Sequence, residues 1–243
     1  MGTNREALYY YTVKYRGNYR RIQQAVLSRE PYESVYDPVS FLCIGDPEYP
    51  AEFYKLKSPP RIVFFEGDLS LLKTRKIAIV GSRIQSDYGK TITAGIASAA
   101  GKRYTVVSGM AKGTDAIAQS HAEKTIGILG NGLDVVYPKC NAALYDKVRR
   151  EGLLLSEYPP AVSPSREAFP FRNRLIAALG EKLIVPSCRI KGGTLTTVNA
   201  ALELGKEVIT VPYPIDDLTG DGCNRLIRDG AEFLVSLEDV ADL

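Results

Sequence analysis

One histidine among 243 residues, four scattered cysteines and no long apolar run leave several function classes without their working parts. His121 has no metal-site company, and Cys43, Cys140, Cys188 and Cys223 form no C-x-x-C pair, so neither a metal centre nor a redox dithiol is indicated. Reduced thiols and a cytoplasmic location are the expectation. The start, "MGTNREALYYYTVKYRGNYRR", holds no apolar core of signal-peptide length. Nothing later approaches the roughly 20 apolar residues of a membrane-spanning helix, and no membrane partner is expected. G-x-G-x-x-G, the P-loop pattern and the nucleophile elbow G-x-S-x-G are all missing, which disfavours a nicotinamide cofactor, ATP and serine catalysis; no cofactor is expected. Internal repeats and low-complexity tracts are missing too.

Charge of one sign is also scarce overall, with 31 Lys and Arg against 28 Asp and Glu, so an anionic partner would have to be met by a local patch. Two such concentrations exist. Between Arg166 and Lys191 stand Arg166, Arg172, Arg174, Lys182, Arg189 and Lys191 against Glu167 and Glu181, a local excess larger than that of the whole chain. Residues 5 to 28 read as helix interrupted near Gly17, with Arg5, Lys14, Arg16, Arg20, Arg21 and Arg29 opposed by Glu6. For that second group a solvated helix face is preferred over a nucleic-acid contact.

Residues 30 to 61, rich in proline, read as a linker with one short helix around "PAEFYKL". From about 62 to 235 the runs "KIAIVGS", "YTVVSG", "TIGILG", "GLLLSE", "KLIVPS" and "EVITVP" alternate with amphipathic segments. Strands apolar on both faces, separated by helices, predict a doubly wound, mainly parallel α/β sheet. In such a sheet ligands bind beyond the carboxyl ends of the strands. The loops there carry Gly81, Ser82 and Arg83; Ser108, Gly109, Lys112 and Gly113; Gly130, Asn131 and Gly132; and Lys191, Gly192, Gly193 and Thr194. Glycine at a strand-to-helix turn lets backbone N–H groups approach an anion, and several such loops with cations on one edge read as phosphate binding.

"EAFPFRNRLIAALG" places Phe169 and Pro170 in a turn and Arg172, Asn173 and Arg174 at a helix start. The helix dipole disfavours arginine there, which suggests an intervening anion, with Phe169 offering a face for a base. The competing reading buries Phe169 and pairs the arginines with Glu157 or Glu181. Asp115 is read as stabilising the first turn of its helix, Glu157 as ordering a neighbouring arginine, and His121 as a surface residue.

Taken together, "YPAEFYKLKSPPRIVFFEGD", "IAIVGSRIQSDYG", "VVSGMAKGTDAIA", "ILGNGLDVVYP", "FPFRNRLIAAL", "GGTLTTVNAALELGKEVITVP" and "GCNRLIRDGAEFLVS" resemble the DprA/Smf family of bacterial DNA processing proteins. The resemblance implies an extended Rossmann-like domain over 41–243 with an abbreviated N-terminal helical, SAM-like remnant over 1–40. It further implies single-stranded DNA binding without catalysis or cofactor, loading of a RecA-type recombinase, notably in natural transformation, and a homodimer. Carried over position by position, the DNA site falls on Gly81, Ser82, Arg83, Ser108, Gly109, Lys112, Phe169, Arg172, Asn173, Arg174, Lys191, Gly193 and Thr194, with Arg166 and Lys206 as further cations of the same surface. Departures are Gln119 where the family has histidine, and "KGGTL" where it has S-G-S-L; a C-terminal winged-helix-like domain is expected to be absent. The alternative is a Rossmann-like enzyme on nucleoside monophosphates, similar to phosphoribohydrolases. Against it, "KGGTLTTVNAALE" offers no acid before Glu203.

Overall fold

Aliphatic runs bury completely when both faces of a strand are covered, and that is how the six expected strands are used. The computed structural model describes residues 4–34 and 39–243. Two helices lead, α1 (Arg5–Lys14) and α2 (Tyr19–Ser28), capped by the side chains of Asn4 and Asn18. There follow β1 (Phe41–Cys43), a 3-10 turn (Ala51–Lys55), β2 (Ile62–Gly67), β3 (Lys76–Ile79), α3 (Asp87–Ala100), β4 (Thr105–Ser108), α4 (Thr114–His121) and β5 (Thr125–Leu129). The chain continues through α5 (Ala142–Glu151), β6 (Leu153–Ser156), α6 (Ala168–Leu179), β7 (Leu183–Val185), α7 (Thr194–Glu203), β8 (Val208–Thr210), α8 (Asp221–Arg228) and β9 (Glu232–Phe233).

One nine-stranded sheet results, in the order β1-β2-β6-β5-β4-β3-β7-β8-β9. From β6 to β9 all neighbours are parallel, whereas β2 runs antiparallel to both β6 and β1. This is the expected doubly wound α/β, Rossmann-like architecture. Beyond it, the stretch read as linker contributes β1, whose three residues pair with Ile62, Val63 and Phe64; residues 35–38 of that stretch lie outside the described residues.

Strand order reverses between β3 and its neighbours β4 and β7, so the loops after β3 and β7 diverge and leave a crevice at their carboxyl ends. The core beneath is apolar: Ile77, Ile79, Val106, Val107, Ile126, Ile128 and Ile184 are fully buried. On the other side of the strands, Leu8 and Tyr9 of α1 join Phe64, Met110, Tyr145 and Leu154, so α1 shares a core with the sheet. Among the described residues no helix is long and apolar enough to cross a membrane.

Candidate nucleic-acid interface

The crevice holds a cleft of about 990 Å³, lined by the loops after β3 and β7, the start of α6 and the start of α7. Its loops are tied together by main-chain bonds. Ser82 N donates to Ser187 O at 2.8 Å, and both Thr114 N and its hydroxyl donate to Ser82 O, at 3.1 and 3.2 Å. Gly81 is required by proximity: a Cβ there would stand 2.4 Å from the Thr114 hydroxyl and 2.5 Å from Ser187 O. The Ser82 amide is thus spent on the scaffold, while α7 begins at Gly193 and Thr194 without any side-chain cap. Leu195 N and Thr196 N donate within the turn to Gly192 O and Gly193 O, at 3.3 and 3.2 Å, which leaves the Gly193 and Thr194 N–H groups free at a helix N-terminus, a place that favours an anion.

Around this donor set stand cations without counter-ions. Arg83, Arg166, Arg189 and Lys191 line the cleft and are exposed, and among the described residues no carboxylate lies within ion-pair distance of them. The lining carboxylates are Asp115 and Asp221, and the latter accepts the Ile190 amide at 2.9 Å. Phe169 is half-buried; its ring stacks on Tyr137 with centroids 5.6 Å apart, and the Arg83 guanidinium carbon lies 5.7 Å from its centroid. Behind these two rings a smaller cavity of about 180 Å³ is lined by Gly109, Lys112, Gly130 and Arg172. Unpaired cations, free helix amides and a presented aromatic face together suit a flexible polyanion carrying bases.

Three expected cations are used differently. Arg172 is 4% exposed, donates to Gly109 O at 2.8 Å and also to Ile128 O, and so latches the ends of β4 and β5. Burial lowers its affinity for its proton, and the nearby Asp115 carboxylate opposes that effect. Burial likewise pushes the Asp115 carboxyl up, with Arg172 opposing. Gly109 separates the two: a Cβ there would lie 2.6 Å from the carboxylate and 2.7 Å from the guanidinium. Arg174 leaves the cleft altogether. Its two terminal nitrogens grip Glu157 at 2.6 Å each, it donates to Ser58 O at 3.0 Å, and it lies 3.7 Å from the Phe171 centroid.

The reason is the start of α6, which is Ala168 rather than Arg172. Pro170 is accommodated in the first turn, where its missing N–H would have had no partner. The dipole argument for an anion beside Arg172 and Arg174 therefore does not hold, and Arg174 is corrected to a structural ion pair. Lys206 is corrected as well: it follows α7 at the amino-terminal edge of the sheet, where its ammonium donates to Gly180 O at 2.8 Å, and it is not part of the cleft surface.

The remaining residues support the site from within. Asn173 bridges α6 to α7 by donating to the Thr196 hydroxyl at 2.8 Å. Ser108 is buried and donates to Ile79 O at 2.6 Å. Gln119 is fully buried, accepts the Met110 amide at 3.0 Å and donates to the Thr125 hydroxyl at 3.2 Å, holding the exit of β4 against β5 with a neutral amide. His121 is exposed, as expected. Sequence reasoning left out Tyr137, Ile84, Ile190 and Arg189 as lining residues. Arg189 had a signal, its place in the charge excess; Tyr137 gave none, because its loop meets Phe169 only in three dimensions.

Comparison with known proteins shows the family. The family described as DNA recombination-mediator protein A matches residues 40–243. DNA processing protein DprA of Streptococcus pneumoniae is 38% identical over 226 residues, spanning 91% of this chain and 78% of that protein. Its crystal structure is similar at a TM-score of 0.82 and 37% identity, covering 92% of this chain and 80% of that one. The DNA processing protein A of Helicobacter pylori, solved to study its single-stranded DNA binding mode, gives a TM-score of 0.78 at 32% identity, over 84% of this chain and 95% of that one. The chain belongs to the DNA recombination-mediator protein A family, also called DprA/Smf.

Proposed function

We propose that the chain binds single-stranded DNA in the cleft between the β3 and β7 loops and assists a RecA-type recombinase in assembling on it, in the processing of incoming DNA and in recombination. The observation that carries this reading is the ring of exposed, unpaired Arg83, Arg166, Arg189 and Lys191 around the free amides of α7 and the Phe169 ring. Cations and amides hold phosphates whatever the sequence, and the ring meets a base, so affinity comes with little sequence preference. No chemical step is assigned. A phosphoribohydrolase-like role would need an acid near the start of α7, and the only carboxylate on that helix, Glu203, lies at its far end paired with Lys57 at 2.9 Å.

Pairing of two copies, in the cytoplasm, is part of the same reading. It is supported by β9, a sheet-edge strand with Phe233 exposed, and by the neighbouring exposed Val235 and Leu237. The test is filament assembly by a RecA-type recombinase on single-stranded DNA, with and without the chain, alongside sedimentation of the free protein. Faster assembly by a dimeric protein is expected; DNA binding without any effect on assembly would reduce the function to DNA binding alone.

A further inference from the structure

The helices α1 and α2 precede the segment matched by the family, and their cations divide into two groups. Arg5 pairs with Asp46, and Lys14 with Glu30 at 2.7 Å. Arg16, Arg20 and Arg21 are exposed, as is Arg29 at the far end of α2, and among the described residues no carboxylate lies within ion-pair distance of them. Arg20 and Arg21 occupy the first turn of α2, where helix electrostatics favour acids, so helix stability does not explain their placement.

The position of these three residues follows from the turn that carries them. Gly17 adopts φ +74° and packs so tightly that a Cβ would stand 2.7 Å from the Tyr158 ring and 3.2 Å from Glu157 O. Those residues leave the carboxyl end of β6, the same edge of the sheet that bears the cleft. Tyr19, the first residue of α2, brings its ring within 5.8 Å of Phe171 on α6. Phe169, two residues earlier on α6, walls the cleft. The turn that carries Arg16 and the first turn of α2 are therefore packed beside α6, the helix whose start walls the cleft, a barrier roughly 10 Å across. At its start stand Arg166, itself a cation of the cleft, and the exposed Glu167.

We propose that Arg16, Arg20 and Arg21 form a second phosphate-binding station, over which single-stranded DNA continues after leaving the cleft across the first turn of α6. This rests on the cleft being a single-stranded DNA site. Continuity with the cleft and charge together point to the partner, since a strand held at Lys191 and Arg166 carries further phosphates past α6, where these arginines are the next unpaired cations along the chain's first helices. Station and cleft then differ in one measurable respect: a short strand is satisfied by the cleft, whereas a long one uses both.

The experiment is fluorescence anisotropy with labelled oligothymidylates of roughly 6 and roughly 20 nucleotides, sizes that bracket common single-strand sites, across a salt series. It compares the wild type, the Arg16→Ala/Arg20→Ala/Arg21→Ala variant and the Arg83→Glu/Lys191→Glu cleft variant. The three arginines have no ion pair or side-chain hydrogen bond to lose, so the first variant should keep the wild-type melting temperature. Its affinity for the short strand is expected within about twofold of wild type, while the long strand loses about tenfold at low salt and its slope of log K against log salt shrinks by about 2, from three contacts of roughly 0.7 each. Unchanged affinity and slope for the long strand, or equal losses at both lengths, would overturn the second station. Failure of the cleft reading looks different: the cleft variant would then bind the short strand as well as the wild type does.

Discussion

The rings of Tyr137 and Phe169 lie 5.6 Å apart with planes 26° from parallel, and both line the open cleft and the small cavity. Phe169 is further flanked by two guanidinium groups, Arg83 at 5.7 Å and Arg172 at 6.0 Å from its centroid. The ring is half-buried between the exposed, unpaired Arg83 and the buried Arg172, which is spent on main-chain carbonyls.

Phe169→Ala should weaken single-stranded DNA binding by about 1 to 3 kcal/mol, the range found when a base loses its aromatic platform. Equilibrium titration with a homopolymer and a mixed-sequence oligonucleotide checks this, and both should lose alike. A folded variant with wild-type affinity would make the ring a packing residue.

The Arg174–Glu157 pair should govern stability and leave DNA binding alone. Side-chain exposures of 13% and 7% mean that removing either partner strands a buried charge. Glu157→Ala should cost about 3 to 5 kcal/mol in denaturant unfolding, with DNA affinity of the remaining folded protein within about twofold of wild type. A selective loss of DNA binding at unchanged stability would return Arg174 to the site.

Cysteine chemistry gives a prediction with a definite pH dependence. Burial pushes the thiols of Cys43 and Cys223 up to about 11 and that of Cys188 to about 12, whereas Cys140 is exposed. A thiol reagent at neutral pH should therefore modify Cys140 alone in the native protein, and all four cysteines after unfolding. In the unfolded chain these thiols ionise near 9, before their folded counterparts, so their contribution to stability is full below pH 9 and declines between about pH 9 and 12. Rapid modification of more than one thiol in the folded state would contradict the packing around β1, β7 or α8.

Much of this architecture was legible because parallel strands covered on both faces must be apolar throughout, and the six runs that satisfied that rule became β3 to β8. The outer strands escaped notice for the same reason. β1 has three residues and β9 two exposed ones, so each owes its strand conformation to its neighbour rather than to its own pattern. At the site, glycines and cations after strands could be placed on one edge because chain direction alone decides it. Helix phase was harder. Two residues apart on a helix means about 200° of rotation, so Arg172 and Arg174, adjacent in the motif, point to different sides once α6 begins at Ala168. One closes the ends of β4 and β5 and the other pairs with Glu157. Lys206 misled in a simpler way, since a helix returning from the cleft delivers its end to the opposite edge.

Whether the unpaired cations of the cleft hold the phosphates of single-stranded DNA is read from the salt dependence of oligonucleotide binding by the wild type and by Arg83→Glu/Lys191→Glu. Salt-sensitive binding is expected of the wild type, lost or greatly weakened in the folded variant for every sequence tested, with a shallower salt slope by about 0.7 for each phosphate contact removed. Equal binding by both proteins across the salt series, or no binding by the wild type at low salt, would contradict it.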